Sequence, residues 1–370
     1  MVNLELLITA LVTALACSLP GTYLVLRKTS LMSDAITHSV LPGIVIGYVL
    51  SGSVLGMGPW LGAMVFAMIA VVLVEGLTKT GRIKHDASIG LVFPFLFALG
   101  VILATLFAEN IHLDTDAILL GELAYIPLDR ISLGWWSFPK SLVQMSSVLI
   151  VNLSLAALFF KELEITTFDP TYATASRIPA RIFHYGLMLV MSLTAVAAFD
   201  AVGSVLMVAY VVAPSATAML LVHQLKPLFF LSFIIATVAT FLGYLIAILT
   251  DTNIAASIAV MLGIIFFIAL VLSPRWGILS LVLRKKSENF NFDLGMLLVH
   301  LSHHLGSQTE SIECHCDHLA EHMGWPETHA QKVIIEAKKR NYINVEAKFL
   351  ILNDQGKEAA KKIMLGLWDL

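Results

Sequence analysis

The chain has 370 residues, of which 58% are hydrophobic and 13% are charged, and its mean hydropathy is +0.85. Soluble domains are about half apolar and about a quarter charged, so this composition excludes a wholly soluble protein and indicates an all-α polytopic membrane protein. The formal net charge of −3 divides into +1 up to residue 286 (15 minus 14) and −4 beyond it (8 minus 12), which argues against strong polyanion binding by the C-terminal part.

Uncharged runs divide residues 1–283 into spans long enough to cross the hydrocarbon core, which takes about 20 residues of helix. The runs are Leu6–Leu26, Ala35–Val74, Ala87–Ala108, Ser141–Phe160, Phe183–Phe199, Ala201–Leu225, Pro227–Thr250 and Thr252–Ser273. The second run holds two helices separated near 51–59, so nine spans are predicted. Two short spans meet at Asp200 without a loop, and eight spans with an irregular element there is the alternative.

The charge of the predicted loops indicates the orientation in the membrane. With the N-terminus outside, Arg130 and Lys140 are the Lys and Arg residues of the outer loops, and the remaining cationic residues up to residue 286 fall in inner loops. Cationic loops stay on the cytoplasmic side. The C-terminus is therefore predicted to be cytoplasmic.

One carboxylate and one imidazole interrupt the apolar stretch SLMSDAITHSVLPG. Asp34 and His38 are spaced i, i+4, which on a helix places both side chains on one face. An ionisable residue in a membrane segment is costly and by default marks a cation site or an aqueous path. A carboxylate with an imidazole suits manganese, zinc or iron rather than sodium or potassium. Two structural roles stay open: Asp34 as the N-cap of a helix beginning near Ala35, and His38 as a hydrogen-bonded core residue.

Two loops carry further polar residues. The outer loop 109–140 holds several Asp, Glu and His residues, which would either concentrate cations on the entry side or form an ordinary solvated loop. The longest cytoplasmic connection within the membrane part, 162–181, contains Asp169 followed by Pro170. This pair predicts a helix start, with Asp as the N-cap and Pro at the first helical position.

The composition changes after residue 286, and residues 292–370 are predicted to form a separate small domain joined by a linker at 284–291. Seven of the twelve histidines lie there. The expected elements are helices at Leu294–His304 and Ser311–Met323, a third helix ending at Arg340, a β-hairpin, and a helix from Gly356. Three helices followed by a hairpin is the order of an α+β winged helix-turn-helix domain.

The stretch IECHCDHLAEH in this domain contains a possible metal site. Cys314, His318 and His322 are spaced i, i+4, i+8 and would share one face of a continuous helix. Thiolate and imidazole are good ligands for zinc or iron. A single helix rarely closes a tetrahedral site, so a fourth ligand such as His303 or His304 would have to come from elsewhere. The alternative is that these residues are ordinary surface or core side chains.

Several blocks of the sequence, in this order, resemble a known family. They are GTYLVLRKTSLMSDAITHSVLPGIVIG (21–47), HDASIGLVFPFLFALGVIL (85–103), LLGEL (119–123), TFDPTYA (167–173) and DAVGSVLMVAYVVAPSATAMLL (200–221). Together they resemble the permease subunits of manganese, zinc and iron ABC importers. The stretch KFLILNDQGKEAAKKI (348–363) is similar to the wing and following helix of diphtheria-toxin-repressor-like metalloregulators.

The resemblance implies a function and a set of partners. The chain would be a permease in a bacterial inner membrane, taking Mn²⁺, Zn²⁺ or Fe²⁺ from an extracytoplasmic binding protein, with Asp34 and His38 as ligands in the pore. It would pair with a second copy or a related permease, and its C-terminal domain would regulate transport by sensing metal. No permanently bound cofactor is expected.

The resemblance also implies how transport is energised. The sequence contains no GxxxxGK[ST] phosphate-binding loop, so the chain is not expected to be an enzyme, and ATP would bind to separate cytoplasmic ATPase subunits. The segment Phe168, Asp169, Pro170, Thr171, Tyr172 and Ala173 would couple the permease to them. A membrane-anchored, metal-responsive DNA-binding regulator is the alternative function, although DNA is an unfavoured partner for an acidic, membrane-tethered domain.

Overall fold

The computed structural model describes residues 4–52, 57–107, 123, 126, 129–133, 136–274 and 277–367. The chain divides into two compact units, Met1–Gly277 and Ile278–Leu370. Most of the acidic outer loop, from Glu109 to Glu122, lies outside the described residues.

In the residues that the structure describes, the first unit is helical apart from one antiparallel hairpin. Its elements are α1 (Leu4–Leu26), α2 (Met32–His38), α3 (Leu41–Ser51), α4 (Met57–Lys79), α5 (His85–Phe107), β1 (Arg130–Leu133), β2 (Trp136–Pro139), α6 (Lys140–Leu158), α7 (Phe160–Phe168), α8 (Pro170–Ala175), α9 (Ala180–Val202), α10 (Ser204–Leu221), α11 (Leu225–Thr250) and α12 (Ile254–Leu272). Within the described part of the chain, nine helical segments are long and apolar enough to cross a membrane, with α2 and α3 together forming one of them. The prediction of nine spans is confirmed for these residues.

Helix α1 lies at the centre of the first unit, where it contacts α6, α9, α10 and α11. Its buried face is made of small residues such as Ala10, Ala14 and Cys17, together with Tyr23 and Leu24. Lipid tails are as apolar as the side chains of the helices, so the hydrophobic effect does not drive helices together inside a membrane. Close packing through small residues stabilises contacts between helices instead. The same small residues explain how α1 packs closely against these helices.

Helices α3 and α4 approach each other through two glycine pairs. A Cβ atom added at Gly43 would lie 2.1 Å from the carbonyl oxygen of Gly62, and one added at Gly47 would lie 2.2 Å from that of Gly58. Each pair belongs to a small-xxx-small repeat, with Gly43 and Gly47 on α3 and Gly58 and Gly62 on α4. This repeat permits backbone-to-backbone packing, and it fixes the helix that directly follows α2.

The junction between α9 and α10 differs in position from the sequence expectation. Asp200 lies inside α9, and the chain turns at Gly203 with φ 79° and ψ 170°. This conformation is one that glycine adopts without steric cost. The break between α9 and α10 therefore lies at Gly203, three residues after the charged Asp200.

The second unit combines five helices with a β-hairpin. Its elements are α13 (Ile278–His304), α14 (Glu310–Glu313), α15 (Cys316–His322), α16 (Glu327–Lys339), β3 (Ile343–Glu346), β4 (Phe349–Leu352) and α17 (Asp354–Met364). Strands β3 and β4 are antiparallel, and His315 forms an isolated antiparallel bridge to Phe349. The core is built mainly from leucines of α13 with Leu319, Val333 and Ile343.

The segment expected as a linker, 284–291, lies within helix α13. The first unit ends at Gly277, seven residues before that segment. The helix of the second unit therefore begins earlier than the apolar pattern from Leu294 indicates.

Candidate metal site and coupling segment

Asp34 and His38 lie on the same face of α2, and the Nε2 atom of His38 is 3.3 Å from the Oδ1 atom of Asp34. Two ligand atoms about 2.1 Å from one metal ion are separated by about 3.4 Å in tetrahedral geometry. The pair is thus spaced to share one ion. Both side chains keep solvent access, with 41% of Asp34 and 26% of His38 exposed.

The two structural alternatives for this pair can be compared with the geometry. Helix α2 begins at Met32 with Leu31 at the N-cap position, and no side chain caps it. Asp34 lies in the first turn and is not an N-cap. His38 is partly exposed, and its Nε2 atom lies beside the carboxylate of Asp34.

Helix α2 is short and enclosed on several sides. It contacts α4, α5, α9 and α10, and its remaining residues, such as Ala35 and Ile36, are buried. The ring of His38 packs against Phe93 and Phe97 of α5, with ring centroids 5.6 and 6.3 Å away. A turn at Ser39 and Val40, whose backbone angles stay in the right-handed helical region, separates α2 from α3, which begins at Leu41 with proline in its first turn.

A network of hydrogen bonds that sequence reasoning did not predict joins the end of α1 to α4 and α9. Arg27 donates to the Nδ1 atom of His184 at 3.2 Å, so that nitrogen accepts and Nε2 carries the proton that His184 shares with Glu75. Glu75 also accepts from Tyr185 at 2.6 Å and from Lys79 at 3.1 Å. The carboxylate of Glu75 is therefore fully engaged. Sequence reasoning gives His184 no role, because its partners Arg27 and Glu75 are distant in sequence.

The same arginine reaches the segment that precedes α8. Its guanidinium donates to Thr166 and Thr167 of α7, each at 3.1 Å. Asp169 follows α7 and caps α8, because its Oδ1 atom accepts from the backbone N–H of Tyr172 at 2.8 Å. The predicted cap and the proline at the start of α8 are therefore confirmed.

The predicted coupling residues divide into exposed and buried positions. Phe168 and Tyr172 are 58% and 59% exposed, whereas Ala173 is fully buried. Pro170 and Thr171 are also exposed. The two large exposed rings beside a short capped helix form an apolar surface that is accessible to a partner protein.

In the second unit, the structure separates the three residues that the sequence placed on one helix face. Helix α14 ends at Glu313 and α15 begins at Cys316, and between them the backbone of 314–316 pairs with the strand edge at Lys348 and Leu350. The expectation of one continuous helix is wrong, because this stretch forms hydrogen bonds as a strand. Cys314 is buried in the core and 4% exposed, whereas His318 and His322 lie on α15.

His322 instead approaches two residues that the sequence analysis did not select. The ligand atoms of His300, Glu313 and His322 all lie within 4.8 Å of one another. His304 is also close, with its ring centroid 4.7 Å from that of His300. The i, i+4 spacing of His300 and His304 was visible in the sequence, but the position of Glu313 depends on the helix break.

Comparison with known proteins extends these observations. Residues 2–273 match the ABC 3 transport family. TroD, a zinc transport system membrane protein of Treponema pallidum (strain Nichols), is 44% identical over 359 residues, covering 97% of this chain and 98% of TroD. MntD, a manganese transport system membrane protein of Bacillus subtilis (strain 168), is 38% identical over 277 residues, covering 75% of this chain and 94% of MntD. The structure of PsaBC from Streptococcus pneumoniae in complex with Fab is similar, with a TM-score of 0.62 and 31% identity over 75% of this chain and 94% of that chain.

The fold and the matched residues define a multi-pass permease of the ABC transporter class. The chain belongs to the ABC 3 transport family. It is a membrane component of a metal transport system. The match to TroD covers nearly the whole chain, so it includes most of the second unit, whereas the match to MntD covers a length similar to that of the first unit.

Proposed function

We propose that this chain is the permease of an ATP-driven importer of a divalent transition metal and that Asp34 and His38 bind the ion in the pore. The observation that carries the proposal is the 3.3 Å approach of His38 to Asp34 on a short helix surrounded by four others. The relatives named for zinc and manganese transport support a metal as the cargo. Carboxylate and imidazole together suit Mn²⁺, Zn²⁺ and Fe²⁺.

Two protein ligands hold an ion weakly, and weak binding is what transport requires. An ion in a pathway must bind well enough to enter and loosely enough to leave. Water completes the coordination shell beside a single Asp34 and His38 pair. A second permease, either another copy or a related chain, would supply a matching pair and convert the site to four ligands.

Transport direction and energy come from the proposed partners. A metal-binding protein delivers the ion outside the bacterial inner membrane, and cytoplasmic ATPase subunits bind ATP and dock on the segment from Phe168 to Ala173. The exposed rings of Phe168 and Tyr172 support this docking role. The charge pattern of the loops supports a cytoplasmic C-terminus.

The second unit is proposed to be a winged-helix domain that regulates transport by sensing metal. A winged helix consists of helical structure, a short strand, two further helices and a hairpin. The elements of this unit follow the same order, with the bridge at His315 in the place of the short strand. The concentration of histidines in this unit supports metal sensing. Winged helices serve protein as well as DNA recognition, and the acidic balance of this unit favours a protein partner.

The proposal is tested by ATP-dependent uptake of radiolabelled manganese, zinc and iron, assayed separately, into proteoliposomes containing the permease, its ATPase and its binding protein. Asp34→Asn and His38→Gln are each expected to lower uptake at least about tenfold, since one of two ligands is lost. Asp251→Asn and His223→Ala are matched controls at exposed positions, and Asn tolerates the left-handed backbone at residue 251.

Two further readouts make the uptake result decisive. Complex assembly and basal ATP hydrolysis should be retained in the Asp34 and His38 variants, because α2 lies apart from the predicted docking segment in the sequence. Uptake that stays at the wild-type level in both variants would refute the pore site. The ion taken up fastest identifies the cargo.

A further inference from the structure

We propose that the second unit binds one zinc-type divalent metal ion between His300, Glu313 and His322, at a site separate from Asp34 and His38. Zinc-type here means a first-row transition metal that prefers imidazole nitrogen. These three residues would be the ligands for the metal-sensing role proposed above. The proposal of this site rests on the geometry of the second unit and does not depend on whether the chain transports metal.

The three side chains converge from three different elements. His300 comes from α13, Glu313 from the end of α14 and His322 from the end of α15. The Nδ1 atom of His322 lies 3.4 Å from the Oε2 atom of Glu313, which is about the separation of two ligand atoms on one tetrahedral ion. All three ligand atoms lie within 4.8 Å of one another, so small side-chain rotations bring them onto a common ion.

Two more imidazoles surround the same carboxylate. His318 places its Nε2 atom 3.4 Å from Oε2 of Glu313. His304 has its ring centroid 4.7 Å from that of His300. The cluster therefore consists of one i, i+4 histidine pair on α13, a second pair on α15, and a glutamate. Either outer histidine is placed to act as a fourth ligand.

The Oε2 atom of Glu313 is buried and accepts no hydrogen bond from the described residues. A buried carboxylate oxygen without a donor is costly. The nearby imidazoles come close without hydrogen-bonding geometry. A cation among these nitrogens would satisfy that oxygen.

Two contacts hold His300 beside Glu313. Its Nε2 atom is 3.1 Å from the backbone carbonyl of Glu313 and 3.9 Å from the Oε2 atom of the same residue. Because a carbonyl can only accept, Nε2 carries the proton in this geometry and Nδ1 carries the lone pair. Metal-binding histidines commonly donate their other N–H to such a carbonyl.

The cysteines of this region are poorer ligands than the sequence indicates. Cys314 lies in the core with Leu319 and Val333. Cys316 is partly buried and packs against the same core. The site is therefore assigned to nitrogen and oxygen ligands, a set in which imidazole predominates. Such a set favours Zn²⁺ over Mn²⁺, since carboxylate and water suit manganese better.

The test uses the full chain in nanodiscs with the Asp34→Asn and His38→Gln substitutions, so that the pore pair does not contribute. Co²⁺ is titrated as a spectroscopic substitute for Zn²⁺, and its visible d–d absorption reports binding. One equivalent of bound Co²⁺ is expected, displaced by one equivalent of Zn²⁺ and not by Mn²⁺ at the same concentration.

Single substitutions then assign the ligands. Glu313→Gln and His322→Ala should each weaken Co²⁺ binding at least about tenfold. His303→Ala is the matched control, because His303 is exposed on the same helix, and Cys314→Ser should also bind normally. Thermal melting without metal verifies folding. His322 is 44% exposed, so its removal should leave the metal-free melting temperature nearly unchanged.

Two results would overturn the proposal. One is the absence of Co²⁺ absorption in the folded protein. The other is a thiolate-to-cobalt charge-transfer band that disappears in Cys314→Ser, which would assign the metal to the ligands chosen from the sequence. The pore ligands are absent from the protein used for the Co²⁺ titration. A negative titration therefore does not affect the uptake result, and a negative uptake assay does not affect the titration.

Discussion

The Nε atom of Arg27 donates a 3.1 Å hydrogen bond to the hydroxyl oxygen of Thr167. Arg27 is the residue after α1 and precedes the connection to α2, whereas Thr167 precedes the predicted coupling segment. One hydrogen bond thus joins the chain leading to Asp34 with the chain leading to Phe168. If the segment from Phe168 to Ala173 couples to the ATPase as proposed, this contact would carry its movement towards Asp34 and His38.

Arg27→Gln is expected to uncouple transport from ATP hydrolysis. Losing the charged donor breaks its bonds to Thr166, Thr167 and His184, while the ATPase itself is unaltered. The number of metal ions imported per ATP should fall several-fold, measured in proteoliposomes with parallel phosphate release. Arg82→Gln, at an exposed position in the loop after α4, is the control. An unchanged ratio in Arg27→Gln would show that the contact does not transmit movement.

Asp169→Ala should weaken association with the ATPase subunit through loss of the helix cap. Removing an N-cap costs about 1 kcal/mol, which frays the short helix α8. Asp169→Asn keeps an oxygen that can accept from the N–H of Tyr172 and should behave almost as wild type. Affinity is measured by surface-immobilised ATPase binding to the permease in nanodiscs. Equal loss in both variants would mean that the charge matters and the cap does not.

Gly43→Ala is expected to destabilise the membrane unit. The added Cβ would lie 2.1 Å from the Gly62 carbonyl oxygen, and such overpacking costs about 1–3 kcal/mol. Gly76→Ala is the matched control on α4, because a Cβ there meets no heavy atom within 4 Å. The melting temperature of the purified protein should fall for Gly43→Ala and not for Gly76→Ala. A wild-type melting temperature for Gly43→Ala would contradict the close approach.

Asn152→Ala is expected to loosen the packing of α6. The buried Asn152 amide donates to the Ala16 carbonyl at 3.1 Å and to Thr194 at 2.9 Å, joining α6 to α1 and α9. Polar contacts within membranes are worth about 0.6–1.7 kcal/mol each. The melting temperature should fall measurably, whereas the exposed Ser154→Ala on the same helix should have no effect. Equal stability of both variants would count against the bridging role.

The local features of this protein could be read from its sequence. Nine spans follow from uncharged runs, the shared face of Asp34 and His38 from their spacing, and the cap at Asp169 from the proline after it. Each depends on a few neighbouring residues. The family resemblance added the expectation of a metal as cargo.

Features that depend on distant contacts could not be read in this way. Helix α2 ends at His38 although the apolar run continues, and Pro42 at the start of α3 packs closely against Gly100 of α5. The helix break after Glu313 arises because 314–316 pairs with Lys348 and Leu350. That pairing moves Cys314 into the core and brings Glu313 to His300, so the metal cluster differs from the one that helical spacing predicts.

X-ray absorption spectroscopy of the transported metal, bound to the assembled transporter in nanodiscs, tests the role of Asp34 and His38 most directly. Glu313→Gln and His322→Ala are included to remove the second site. The account predicts histidine multiple-scattering features that are lost in His38→Gln and retained in His223→Ala. Features that persist unchanged in His38→Gln would contradict it and place the transported ion on other ligands.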